Sequence, residues 1–273
     1  MRILITGGAG MLGSALIRAA PGGVEVHATR RATPVPAGAE AHTVDLASDT
    51  EVGAVFAAAR PDVVIHTAYG KDFARDIILA TRNVAEACAS HRAALVHVST
   101  DVVFDGERAP YAEDDPPSPI SEYGQRKAEA ERIVRQLAPG AAIARTSVIV
   151  RTDGEDATVA HLRAGTLPPA FVDELRSVIA APDLAAQLWE IATLPRGRME
   201  GVWHLAGPEA VSRHTLATLL AVRHGITPKI VPALNRDFTP RRPRDLRLLT
   251  PRADRELRTR ARPIGEVLFG PGT

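Results

Sequence analysis

The 273-residue sequence holds a single cysteine, three lysines and only 4% aromatic residues. Cys88 alone closes no internal disulfide and builds no thiolate metal cluster, which excludes the disulfide-stapled secreted scaffold. No apolar run approaches the ~20 residues that a membrane span needs. Excess charge is also missing. A formal net charge of +1 with 24% charged residues lies outside the disordered and coiled-coil classes. The chain is 45% apolar, enough to bury a core as one large domain or two small ones. Met1-Arg2-Ile3-Leu4-Ile5 reads directly as a strand and lacks signal-peptide anatomy. The expectation is a cytoplasmic globular protein.

Of 33 Lys plus Arg, the only lysines are Lys71, Lys127 and Lys229. Where arginine serves for nearly every positive charge, a retained lysine marks a candidate position for a compact ammonium beside a titrating group. Arg236–Arg262 gathers ten of the arginines against Asp237, Asp245, Asp254 and Glu256. That density could serve nucleic acid, but the interspersed acids and the absence of a recognition motif favour a solvated, salt-bridged surface. The histidines show no ligand spacing, so no metal is assigned.

Short apolar runs alternate with Ala-rich helical stretches through the first half. Strands are expected at Arg2–Thr6, Val24–Thr29, Ala41–Val44, Asp62–His66, Ala94–Ser99 and Ala141–Arg145. Helices are expected at Met11–Ala20, Thr50–Ala59, Asp72–Ser90 and Ser121–Gln136. Strands apolar nearly throughout, with helices between them, predict a doubly wound α/β fold on a parallel sheet. Past residue 150, prolines punctuate shorter pieces such as Pro182–Thr193 and Ser212–His224. The division read from this is a dinucleotide-binding domain over 1–150 and a smaller, partly discontinuous α/β substrate lobe over 151–273, returning to the main sheet around 176–206.

Thr6-Gly7-Gly8-Ala9-Gly10-Met11-Leu12-Gly13 follows the first strand directly and opens a helix. Gly7 permits the turn, Gly10 lets a diphosphate approach the backbone, and Gly13 allows close helix–strand packing. Phosphates then meet free amides at the helix N-terminus. In a βαβ unit this placement is a dinucleotide signature. The second strand ends on Arg30-Arg31, where NAD proteins carry a ribose-binding acid. Two guanidinium groups there suit a 2′-phosphate, so NADP(H) is preferred over NAD(H). Asp45, with Leu46 after the third strand, either accepts a hydrogen bond from adenine or caps the following helix.

Tyr123-Gly124-Gln125-Arg126-Lys127 sets a phenol and an ammonium four residues apart on one helical face. A nearby cation favours the phenolate, so the sequence predicts a lowered tyrosine pKa. Ser99-Thr100-Asp101 closes a strand, and ligands of open α/β sheets bind at the carboxyl ends of strands. A hydroxyl there can polarise a carbonyl beside Tyr123, or simply cap the strand end.

Through Thr6–Gly13, Val98–Gly106, Pro110–Asp115, Pro119 and Tyr123–Glu131, the chain resembles the extended short-chain dehydrogenase/reductase superfamily. Within it the chain is similar to the dTDP-4-dehydrorhamnose reductase type of sugar-nucleotide reductase. Weaker echoes are Gly201–Leu205, Ser212 with Leu216-Ala217, and Arg242-Pro243 followed by Leu246. The resemblance implies Thr100 as hydrogen-bond donor to the carbonyl and Tyr123 as proton donor. It implies Lys127 for tyrosine activation and the nicotinamide ribose. Thr67, Ala68 and Tyr69 would border the cofactor; Lys71, Ser99, Asp101, Val102 and Arg242 would face a nucleotide-sugar. The segment Gly70-Lys71-Asp72-Phe73 departs from the family, and Ile77 stands where related enzymes often carry asparagine. Thr100-Asp101-Val102 lacks the glutamate of the sugar-nucleotide dehydratases, which disfavours dehydration.

The expected activity is NADPH-dependent reduction of a keto group on a nucleotide-linked 6-deoxy sugar, by a protein compatible with a homodimer. The alternatives are an NAD-dependent sugar-nucleotide epimerase, against which Arg30-Arg31 argues, and a non-catalytic NADP-binding regulatory subunit.

Overall fold

A computed structural model describes residues 1–154 and 156–271. Residues 155, 272 and 273 of the expected lobe lie outside them. Seven parallel strands form the central sheet: β1 (Arg2–Thr6), β2 (Glu25–Arg30), β3 (Glu40–Thr43), β4 (Val63–His66), β5 (Ala94–Thr100), β6 (Ala142–Thr146) and β7 (Gly201–Leu205). Their spatial order is β7-β6-β5-β4-β1-β2-β3. The chain thus builds outward from β1 on one side, crosses over, and builds outward from β4 on the other. The β1/β4 boundary is the topological switch point, and doubly wound sheets bind ligands in the crevice above it.

Strand alternation divides the core. Ile3, Ile5, Val26, Ala28, Ile65 and Val96 face one side; there they meet helices α1 (Met11–Arg18) and, from late in the chain, Ala181–Thr193. Leu4, Val64, Leu95 and Ile143 face the other side. Covering them are α2 (Asp49–Ala59), α3 (Ala80–His91) and α4 (Glu122–Leu137). Cys88 of α3 is 1% exposed and packs there as a small hydrophobe. Each such fully buried aliphatic side chain contributes about 1.5–3 kcal/mol relative to exposure. Both faces being covered, the central strands are apolar in continuous runs.

A smaller core joins Val159 and Leu162 of helix α5 (Ala157–Ala164) to Leu216 and Leu220 of the helix Arg213–Arg223, and to Ile264 and Leu268. The expected helix Asp72–Ser90 begins instead as a π-helical turn, Ala74–Leu79, which runs into α3. No helix among the described residues is long and apolar enough to cross a membrane.

Candidate active site

A cleft of about 650 Å³ opens over the carboxyl ends of the central strands. Its floor is the turn after β1. Gly7 has φ +70°, a left-handed conformation that favours glycine. A Cβ on Gly7 would lie 2.9 Å from Ala68 Cα, and one on Gly13 would lie 2.2 Å from Gly7 O. The loop is therefore a cradle that side chains would fill. Gly13→Ala is expected to push the Gly7–Gly8 backbone into the cleft at a cost of about 1–3 kcal/mol. Dinucleotide titration would show this as affinity at least about tenfold weaker, the equivalent of 1.4 kcal/mol.

Thr6 anchors the opposite wall. Its Oγ1 accepts from Thr67 N at 3.1 Å and Ala68 N at 3.2 Å. Its own proton therefore goes to His66 Nδ1, 2.7 Å away, which leaves His66 Nε2–H to face Thr81 Oγ1 at 3.2 Å. Burial, and then the charge of Lys127, push His66 down to about 3, so the ring stays neutral. Thr67, Ala68 and Tyr69 all line the cleft.

Arg30 and Arg31 line the cleft at the end of β2. Arg30 Nε is buried with no hydrogen-bond partner among the described residues, while Arg31 reaches Asp76 at 3.2 Å. Asp45 and Leu46 form the far wall. Asp45 does not cap α2, because Ser48 does so by accepting from Glu51 N. The Asp45 carboxylate accepts from Ala47 N at 3.0 Å and pairs with Arg75.

Ser121 caps α4 by accepting from Gly124 N at 3.1 Å. A Cβ on Gly124 would lie 2.2 Å from Val102 O, so a glycine lets the helix start approach the strand end. Tyr123 sits at this start, with ring centroids 5.6 Å from Phe73 and 6.2 Å from Tyr69. Lys127, 5% exposed, lies one turn on and donates from Nζ to Val98 O at 2.8 Å. Both line the cleft with Ser99 and Thr100.

The electrostatics differ from the sequence expectation. Burial pushes the Tyr123 phenol well above its ordinary value, and the charges of Tyr69 and Asp101 add to this. Burial also lowers Lys127 to about 8 against the opposing pull of Glu131. Desolvation outweighs the cation that the spacing brings near. The free site therefore holds a protonated phenol.

Several residues expected to face substrate hold protein partners. Ser99 Oγ donates to Glu131 at 2.6 Å. Asp101 is 3% exposed and accepts from Ser147 Oγ at 2.6 Å, with Arg176 Nε at 3.8 Å. Thr100 Oγ1 donates to Asp101 and accepts from Val102 N, at 3.2 and 3.3 Å. Val102 and the exposed Lys71 lie outside the cleft lining. Arg242 is also outside it, its fork taken by Glu174 at 2.8 and 3.2 Å.

Glu131, Thr29 and Thr6 escaped the sequence reading of the site. Thr29 Oγ1 accepts from Gly7 N at 3.1 Å and holds the glycine turn against β2. Glu131 was within reach by spacing, since Tyr123, Lys127 and Glu131 fall at successive intervals of four on α4.

Residues 1–266 match the family model described as RmlD substrate binding domain. The chain belongs to this family. A dTDP-4-dehydrorhamnose reductase of Sinorhizobium fredii is 30% identical over 228 residues, 76% of this chain and 73% of that protein. The methionine adenosyltransferase 2 subunit beta of Rattus norvegicus is 28% identical over 252 residues, covering 81% and 71%. A solved hypothetical dTDP-4-dehydrorhamnose reductase from Sulfolobus tokodaii aligns at TM-score 0.80 with 30% identity, over 96% of this chain and 97% of that one. Against other curated relatives the chain spans about half their length, 45–54%.

Proposed function

We propose that this RmlD-family chain is an NADPH-dependent reductase of a keto group on a nucleotide-linked 6-deoxy sugar. The observation that carries the reading is the Tyr123–Lys127 face standing with Thr100 in a cleft floored by a glycine cradle. The cradle at Gly7 and Gly13 and the unpartnered buried Arg30 Nε fit a phosphorylated dinucleotide. When bound, NADPH supplies the hydride to the carbonyl carbon. Arg30 and Arg31 would hold its 2′-phosphate, the Gly7–Gly13 loop its diphosphate, and Asp45-Leu46 its adenine end.

The chain's own residues supply orientation and the proton. Thr100 Oγ1 would turn from Asp101 to the carbonyl oxygen and hold it beside Tyr123. Tyr123 Oη gives its proton to that oxygen as the C–H bond forms. A phenol kept protonated by burial suits a donor in the reductive direction. The Lys127 ammonium then stabilises the phenolate that remains. The family names of the S. fredii and S. tokodaii relatives support this chemistry.

Spectrophotometric NADPH oxidation against a panel of nucleotide-linked keto sugars tests the proposal. Turnover with at least one member is expected. NADPH binding with no turnover across the panel overturns it in favour of a non-catalytic, NADP-binding subunit; the rat relative is named as a subunit beta.

A pH profile gives a second test. Lys127 is held at about 8, so its charge is present below that pH and lost above it. Reductive kcat/KM is expected to fall through an apparent pKa near 8, since this parameter reports groups of the free enzyme. Stability moves the other way. A lysine whose folded pKa is depressed opposes folding while it must stay charged, so this penalty lifts as pH rises through about 8 toward the unfolded value.

A further inference from the structure

Away from the cleft, at the outer edge of the sheet, β2 and β3 pair in parallel with His27 opposite Glu40 and Thr29 opposite His42. Side chains alternate along each strand, so Glu25 and His27 share a sheet face with Glu40 and His42 of the neighbouring strand. His27 Nδ1 lies 3.0 Å from His42 Nε2. The Glu40 carboxylate stands 3.8 Å from the first nitrogen and 3.9 Å from the second. One donor atom from each of the three residues falls within 4.8 Å of the others. On the far side of the His27 ring, Nε2 meets Glu25 Oε1 at 3.0 Å.

This is the donor set of a zinc-class ion. Ligand bonds of about 2.0–2.1 Å in a tetrahedral site put neighbouring donor atoms about 3.4 Å apart. The two imidazole nitrogens stand 3.0 Å apart. Each has a Glu40 oxygen close by, Oε2 at 3.8 Å from His27 and Oε1 at 3.9 Å from His42, so the spacings lie either side of that value. Glu25 takes the Nε2–H of His27 and so aims the Nδ1 lone pair at the site, the carboxylate–histidine arrangement that orients metal ligands. The proton now shared between the two imidazoles can move to His42 Nδ1, which frees both facing nitrogens. Glu40, 68% exposed, leaves the fourth position to water.

We propose that His27, His42 and Glu40 form a three-donor site for a zinc-class divalent ion that ties edge strand β3 to β2, with Glu25 orienting His27. Two imidazoles and one carboxylate suit Zn²⁺ or Co²⁺ over Mg²⁺ and Ca²⁺, which prefer oxygen shells. The site shares no residue with the cleft lining and does not rest on the reductase reading. An ion here would also brace the base of the segment Val44–Leu46 that walls the cleft.

The full chain, stripped with chelator and desalted, is titrated with Zn²⁺ alone by calorimetry and with Co²⁺ by visible absorption. One equivalent of Zn²⁺, a tetrahedral-type Co²⁺ spectrum and a raised Tm are expected, with no Tm rise from Mg²⁺ or Ca²⁺. His42→Ala is expected to lose that equivalent and Glu40→Gln to bind at least about tenfold more weakly, while both keep wild-type circular dichroism. Glu25→Gln is expected to weaken binding by about 10–100-fold. Absence of stoichiometric uptake by the wild type overturns the site. So does unchanged uptake in His42→Ala and Glu40→Gln, which places the metal on other surface histidines. Because Glu40 is exposed, Glu40→Gln keeps the test decisive should His42→Ala fold poorly.

Discussion

Tyr123→Phe is expected to bind NADPH within about twofold of wild type while turnover falls by a factor on the order of 10³, within the 10²–10⁴ that general acid catalysis supplies. The substitution removes one oxygen and leaves the ring. Contacts with Phe73 and Tyr69, at 5.6 and 6.2 Å between centroids, survive it. Nothing polar is added to the buried site, and the apolar ring keeps its place. Folding should therefore be preserved, and the change isolates the proton. Stopped-flow NADPH oxidation alongside a fluorescence titration of the cofactor separates the two effects. Turnover at the wild-type rate would remove Tyr123 from the chemistry and the reductase mechanism with it.

The same tyrosine shows how far the sequence carries. Its position four residues before Lys127 places both on one helical face, and local spacing suffices for that. The direction of its pKa does not follow from spacing. Spacing brings a cation near, but the folded chain buries both groups and desolvation prevails. The first six strands and three of the four helices between them were legible to within a residue or two, because an apolar run bounded by glycine or proline is a local signal. The helix expected from Asp72 opens instead with the π-helical turn Ala74–Leu79. The protein partners of Ser99, Asp101 and Arg242 were not legible, for the opposite reason. Their partners are Glu131, Ser147 and Glu174, between 32 and 68 residues away, and no window of sequence brings them together. His27 and His42 likewise have no metal spacing along the chain. Parallel pairing of two edge strands, set by the whole sheet, makes them neighbours.

Glu131→Gln is expected to be the most damaging single change outside the reacting groups. Glu131 is fully buried and Arg145 is 1% exposed. Arg145 donates to both carboxylate oxygens at 3.0 Å, Ser99 adds 2.6 Å and Arg135 3.0 Å. Burial alone would raise this carboxyl, but the hydrogen bonds and charge of Arg145, with those of Ser99 and Arg135, hold it below its ordinary value. The amide keeps the shape and removes the charge, stranding a buried guanidinium at a cost of about 3–5 kcal/mol. In a chain of this size that corresponds to a Tm lower by on the order of 10 °C. The sign with pH follows. A carboxyl depressed in the folded state gives stability that is present above its unfolded pKa, about 4.3, and lost as pH falls through the folded value. The variant should accordingly show a shallower loss of stability on acidification than wild type. A purely structural role ends there, but Glu131 also supports the charge of Lys127, one turn back on α4. Without it Lys127 drops further below about 8, and the alkaline limb of kcat/KM should move to lower pH in the protein that remains folded. A limb at the wild-type position would confine Glu131 to holding β5, β6 and α4 together.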